Sequence, residues 1–92
     1  GGTDLSLDPL FRPLLDHYRE TVDTARMKGA NPDRWLAPAE AFARAGEIWL
    51  RMRLGKDGSL LAPEEHYKTD WAYAPYRGQW DEIGAVFDRL FA

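Results

Sequence analysis

Pro38-Ala39-Glu40-Ala41-Phe42-Ala43-Arg44-Ala45-Gly46-Glu47-Ile48-Trp49-Leu50-Arg51-Met52-Arg53-Leu54-Gly55 is the stretch that decides the fold. Ala41, Phe42, Ala45, Ile48, Trp49 and Met52 recur at steps of three and four, which puts them on one face of a helix. A proline in the first turn and a glycine just past the last residue bracket that helix at Pro38 and Leu54. Glu40, Arg44, Glu47 and Arg51 fall on a single ridge beside the apolar face. Read as a solvated ridge, they give the ion pairs Glu40–Arg44 and Glu47–Arg51, worth about 0.2 to 0.5 kcal/mol each. The competing reading turns Glu40 or Glu47 inward to organise an aromatic segment further along the chain. Gly46 in mid-helix costs about 1 kcal/mol relative to alanine, so it predicts a close-packed neighbour or a bend.

Working outward, Phe11, Leu14, Leu15, Tyr18, Val22 and Ala25 form a second apolar face and predict a helix from about Arg12 to Lys28. Pro13 has no amide to bond back to Pro9, so Asp8 to Arg12 reads as a turn or kink. Gly29-Ala30-Asn31-Pro32-Asp33 is turn chemistry, as is Lys56-Asp57-Gly58, and Ser59 to Ala62 reads as an extended segment. Trp80, Ile83, Gly84, Phe87, Leu90 and Phe91 predict a closing helix from about Gln79 to Phe91, with Asp81 and Glu82 at the positive end of its dipole. Between the second and third helices, Glu64 to Gly78 has no period. Yet Tyr67, Trp71, Tyr73, Tyr76 and Trp80 put five of the chain's 12 aromatics within 14 positions.

The fold class predicted is all-α: a small bundle of three main helices with an aromatic-rich irregular segment packed between the second and third. Its core should include Leu14, Tyr18, Val22, Phe42, Ala45, Trp49, Ile83, Phe87 and Leu90. Ninety-two residues make a single domain, 1–92. Gly1-Gly2 reads as a tag remnant or excision scar, and the chain as a piece of a longer multi-domain protein.

Composition excludes several chemistries. With no cysteine there is no disulfide scaffold, thiol nucleophile or cysteine zinc site, and a reducing, cytoplasmic setting is expected. A net charge of -3, with four basic and seven acidic residues from Lys56 onward, disfavours a phosphate-binding protein. No apolar run is long enough to span a membrane. The two serines, Ser6 and Ser59, lie in no nucleophile motif, and Gly55-Lys56-Asp57-Gly58 follows a helix where a phosphate loop would precede one. No cofactor is implied. His17 reads as a solvated histidine and His66 as a packing or capping residue in the aromatic segment. Those aromatics are either core or a partner-binding surface of Tyr67, Trp71, Tyr73 and Tyr76, with Trp71 and Tyr76 as its anchors.

Pro38-Ala39-Glu40-Ala41-Phe42-Ala43-Arg44-Ala45-Gly46-Glu47 resembles the P-x-E-x-F-A-R-A-F-E helix signature of a large polyvalent protein-associated domain, found in very long proteins of phages and conjugative elements. Pro38, Glu40, Phe42, Ala43, Arg44, Ala45 and Glu47 carry the match, and Gly46 departs from it where the family has phenylalanine. Asp8-Pro9-Leu10 with Leu14-Leu15 is similar to the family's opening helix. Tyr73-Ala74-Pro75-Tyr76 with Ile83, Phe87, Asp88, Leu90 and Phe91 is similar to its closing segment. The resemblance implies a non-catalytic interaction or scaffolding module, with a protein partner or neighbouring domains of the parent chain.

A weaker similarity is to the helix that supplies the glutamate ligand in zinc metallopeptidases, which would make Glu40 a metal ligand and the chain the closing half, or relic, of such a site. The sequence has no H-E-x-x-H, so His17 and His66 would have to converge on Glu40 from separate elements. A third reading, an accessory nucleic-acid-binding domain, rests on a basic strip of Arg44, Arg51 and Arg53.

Overall fold

Turn-forming and helix-starting residues divide the chain more finely than its hydrophobic period does. The computed structural model describes residues 4–27, 29 and 31–92. Its α-helices are α1 (Arg12–Thr21), α2 (Pro32–Trp35), α3 (Pro38–Leu54), α4 (Glu64–Thr69) and α5 (Trp80–Leu90), with short 3-10 turns between them. Among the described residues there is no strand. The three long helices are α1, α3 and α5, as the sequence predicts.

Asp8 sets the entry to α1: its side chain accepts from the Leu10 N–H at 2.8 Å, and Pro13 sits in the first turn. The helix then stops at Thr21, seven residues before the predicted end. Val22 leaves with an extended backbone, and the Asp23 side chain takes the Ala25 N–H at 3.1 Å to start a new 3-10 turn. A local Asx bond next to β-branched Thr21 and Val22 outcompetes continuation of the helix. The apolar period survives because Val22 and Met27 still reach the core through the turn. Gly1–Thr3, Lys28 and Ala30, which carried part of the sequence reading, lie outside the described residues.

Asn31 in the expected turn caps α2 by accepting from the Asp33 N–H at 3.0 Å. Helix α3 has the predicted bounds. Gly55 closes it with φ +51°, a left-handed conformation that glycine adopts without steric cost. Ser59 to Ala62 is a turn, with the Leu61 N–H on the Gly58 carbonyl at 3.0 Å, where an extended segment was expected. Gly58 lies 2.9 Å, measured from where a Cβ would stand, from the Arg51 guanidinium. That close approach lets Arg51 donate to the carbonyls of Gly58 and Ala62, each at 3.2 Å, and fold the turn under the helix end.

Phe11, Leu14, Tyr18, Ile48, Ile83 and Phe87 are fully buried where α1, α3 and α5 meet. Of the predicted core, Phe42, Trp49 and Leu90 are only half-buried, because they lie on the rim of the α3–α5 contact. Gly46 has the close neighbour expected of it: a Cβ there would stand 3.4 Å from the Phe87 ring.

Candidate functional site

The aromatic segment packs inward. Glu64 to Thr69 is helical and Ala74 to Tyr76 a 3-10 turn, where irregular chain was predicted. Tyr67 and Tyr76 are buried in the core, which removes both from the predicted partner surface. Each tyrosine in the chain has a polar partner for its hydroxyl. Tyr18 donates to the Ala72 carbonyl at 2.8 Å and Tyr76 to the Ala41 carbonyl at 2.9 Å, and their rings lie 5.0 Å apart. Tyr73 donates to Glu47 at 2.8 Å, and the Tyr67 hydroxyl accepts from the Ala62 N–H at 3.3 Å. Burial is the main cause that pushes all four hydroxyls above the ordinary tyrosine range; for Tyr73 the Glu47 carboxylate adds to it. Trp71 is half-buried, its ring stacked on Trp35 at 4.9 Å. Of the two expected anchors, only Trp71 keeps any exposed surface.

Two expectations about the α3 ridge change. Glu47 is the carboxylate that organises the aromatic segment, and it does so in place of an ion pair with Arg51. Arg44 is buried: its guanidinium lies 3.9 Å over the Trp35 ring and 5.5 Å from the Tyr18 ring, and it donates to the Trp35 carbonyl at 3.1 Å. Its contact with Glu40 is long, 3.8 Å, and half-exposed on the Glu40 side. The basic strip of Arg44, Arg51 and Arg53 therefore does not face solvent as a strip. Arg44 is in the core, Arg51 is spent on carbonyls, and Arg53 pairs with Asp88 on α5.

The candidate metal ligands do not converge. Among the described residues, no group of three His, Asp or Glu side chains is placed to hold a metal ion. His17 holds the Pro75 carbonyl at 2.8 Å through Nε2. A carbonyl only accepts, so that nitrogen carries a proton and has no lone pair for a metal. The solvated role expected of His17 gives way to a bond that ties α1 to the aromatic segment. His66 is exposed against the edges of Tyr67 and Tyr73, a packing role as expected. This donor set does not fit a zinc site at Glu40.

A cleft of about 670 Å³ lies between Arg51, Met52, Glu64, Trp80 and Asp81, and two of these lining residues are engaged by Lys68. Lys68 bonds Glu64 at 3.0 Å and lies 5.0 Å over the Trp80 ring. A different feature stays open. Phe42, Gly46, Trp49, Leu50, Phe87 and Phe91 line an apolar groove of about 210 Å³ between α3 and the end of α5. Its walls are held by ring contacts, Phe42 on Phe87 at 4.7 Å and Trp49 on Phe91 at 5.2 Å. The Trp49 indole is fixed by a 2.9 Å bond to Asp88. Gly46 is the gap in the floor. The sequence carried a signal for this groove: Ala43, Gly46 and Leu50 follow steps of three and four on α3, beside Phe42 and Trp49. Comparison of the chain with protein-family models, curated proteins and solved structures gave no match.

Proposed function

We propose that this chain is a non-catalytic interaction module of a large multi-domain protein of a phage or conjugative element, and that it binds a polypeptide through the groove over Gly46. The observation that carries the reading is that groove. It is open and apolar, with Leu50 and Phe91 on its rim 41 % and 52 % exposed. Exposed apolar surface gathered in one concave place marks an interaction site more often than scattered residues do. The setting in a mobile element rests on the resemblance of Pro38 to Glu47 to the polyvalent-protein helix.

The packing gives physical sense to several residues of that resemblance. Phe42 stacks on Phe87, Ala45 is buried, Arg44 locks the core against Trp35 and Glu47 holds Tyr73. No observation favours the peptidase or nucleic-acid readings, since Glu40 lies at the surface beside Arg44 and the arginines of the strip are engaged internally.

Photo-cross-linking tests the groove. A benzophenone amino acid placed at Leu50, in cells of the source host, is expected to capture a distinct polypeptide. The same probe at Glu82, on an exposed part of α5, should not capture it. Equal labelling from both positions would sink the reading.

A further inference from the structure

Between the end of α1 and the chain that follows α4 lies a cleft of about 380 Å³, lined by His17, Thr21, Asp23, Thr69, Trp71 and Pro75. It shares no residue with the groove over Gly46. Trp35 stacks on one face of the Trp71 indole, ring centroids 4.9 Å apart and planes 16° from parallel, which fixes the ring while leaving it half-buried. We propose that this cleft receives a guanidinium group, the side chain of an arginine on a partner polypeptide, laid against Trp71 and charge-paired with Asp23.

The hydrogens of the lining groups are already committed. Thr21 donates its hydroxyl to the His17 carbonyl at 2.7 Å and Thr69 to the Glu65 carbonyl at 2.9 Å, so each hydroxyl oxygen is left as an acceptor. His17 gives its Nε2 hydrogen to the Pro75 carbonyl, and the neutral ring then has its lone pair on Nδ1. Asp23 brings a carboxylate, one oxygen of which accepts from the Ala25 N–H at 3.1 Å. Apart from the Trp71 N–H, the side chains of the cleft only accept, and among the described residues no lysine or arginine lines it. The complement of an acceptor-rich cleft with a carboxylate and an aromatic wall is a cation that only donates, which among side chains means lysine or arginine.

The other indoles of the chain show which cation fits. The Arg44 guanidinium lies 3.9 Å over Trp35, and the Lys68 ammonium lies 5.0 Å over Trp80. The closer approach belongs to the guanidinium, a planar and weakly hydrated group that stacks on an aromatic face, and this selects arginine over lysine. One cation of the chain already reaches Asp23: Arg26, at 3.7 Å. That pair is exposed on both sides, so it contributes little and an incoming arginine displaces it at small cost.

NMR titration of the isotope-labelled chain with acetyl-arginine-amide, at constant ionic strength, tests this. One exposed cation–π contact and one ion pair predict a Kd of about 10 to 50 mM, with the Trp71 indole and His17 ring signals moving together. Acetyl-citrulline-amide, which has the same shape without the charge, should move them at least about fivefold less at equal concentration, and acetyl-lysine-amide should bind at least about twofold more weakly than arginine. Asp23→Asn keeps an acceptor for the Ala25 N–H and removes the charge, so the turn stays and arginine binding should weaken about threefold or more. Trp71→Leu, with helical circular dichroism retained, should abolish the His17 response.

Equal responses to arginine and citrulline overturn the proposal. So does arginine binding undiminished in Asp23→Asn, or a response centred on another tryptophan. Lysine binding as tight as that of arginine overturns the choice of arginine and supports the cleft as a cation site. Because the two sites share no residue, failure here leaves the groove over Gly46 standing, and failure of the cross-link at Leu50 leaves this cleft standing.

Discussion

Arg44 and Glu40 form an i,i+4 pair that looks symmetric in sequence, but replacing each should give very unequal losses. The Arg44 guanidinium lies 3.9 Å over Trp35, donates to the Trp35 carbonyl at 3.1 Å, and has a side chain only 10 % exposed. Arg44→Met keeps most of the stem and removes the charge. It leaves a carbonyl acceptor without its donor, about 1 to 3 kcal/mol, and forfeits a partly desolvated cation–π contact, about 0.5 to 2. The expected loss is about 2 to 4 kcal/mol. For a domain of this size that lowers Tm by roughly 10 to 25 °C.

The Glu40 carboxylate is 3.8 Å from Arg44 and half-exposed. An ion pair of that kind contributes well under about 1 kcal/mol, so Glu40→Gln should cost less than about 0.5. Urea unfolding followed by tryptophan fluorescence measures both variants, and the double variant completes a cycle whose coupling energy should also stay below about 0.5 kcal/mol. Equal losses, or an Arg44→Met loss under about 1 kcal/mol, would refute the claim that Arg44 acts through Trp35 and not through Glu40.

Tyr76→Phe keeps the ring against Tyr18 but removes the second donor to the Ala41 carbonyl, which still accepts within α3. It should cost about 0.5 to 1.5 kcal/mol in the same urea assay, and a loss under about 0.2 would show that the hydroxyl bond adds nothing to stability. The tyrosines also set the alkaline limit of stability. All four hydroxyls titrate above the ordinary value of 10.0 in the folded chain, so the folded state holds protons that the unfolded state releases. Stability is therefore full below pH about 10 and falls as pH rises beyond it. Tyrosinate absorbance and helical circular dichroism should change together in one step; early ionisation of two or more tyrosines with the helices intact would contradict this.

Much of the fold was legible because local signals agreed with the packing. Pro38 and Gly55 bound α3 as they stand in the sequence, and the spacing of Ile83, Phe87 and their neighbours placed α5. The end of α1 was not legible from period alone, since Val22 and Met27 keep facing the core after the helix has stopped. The signal that decides it is Asp23, a capping side chain next to β-branched residues. Arg44 was misread for a related reason. Position on a ridge says which residues share a face, but not that Trp35, nine residues back, covers that face. The burial of Tyr67 and Tyr76 depends on carbonyl partners far along the chain, which no spacing rule reveals. The groove was present in the sequence as Ala43, Gly46 and Leu50 beside Phe42 and Trp49 on α3, hidden because Ala43 and Gly46 read as fillers and not as a surface.

The bonds that Tyr18, Tyr76 and His17 make to the carbonyls of Ala72, Ala41 and Pro75 span 54, 35 and 58 positions. None of them can form until distant parts of the chain have met, so none contributes to an early local nucleus. A fragment ending before residue 70 would lose all three at once and leave α1 with its donors facing water. Unfolding should run in reverse: release of the 70–76 segment strips α1 of its long-range polar ties before α3 and α5 part. Amide exchange would then be fastest around Ala72 and Ala74 and slowest in the middle of α3, a gradient set by which bonds are non-local and not by depth of burial.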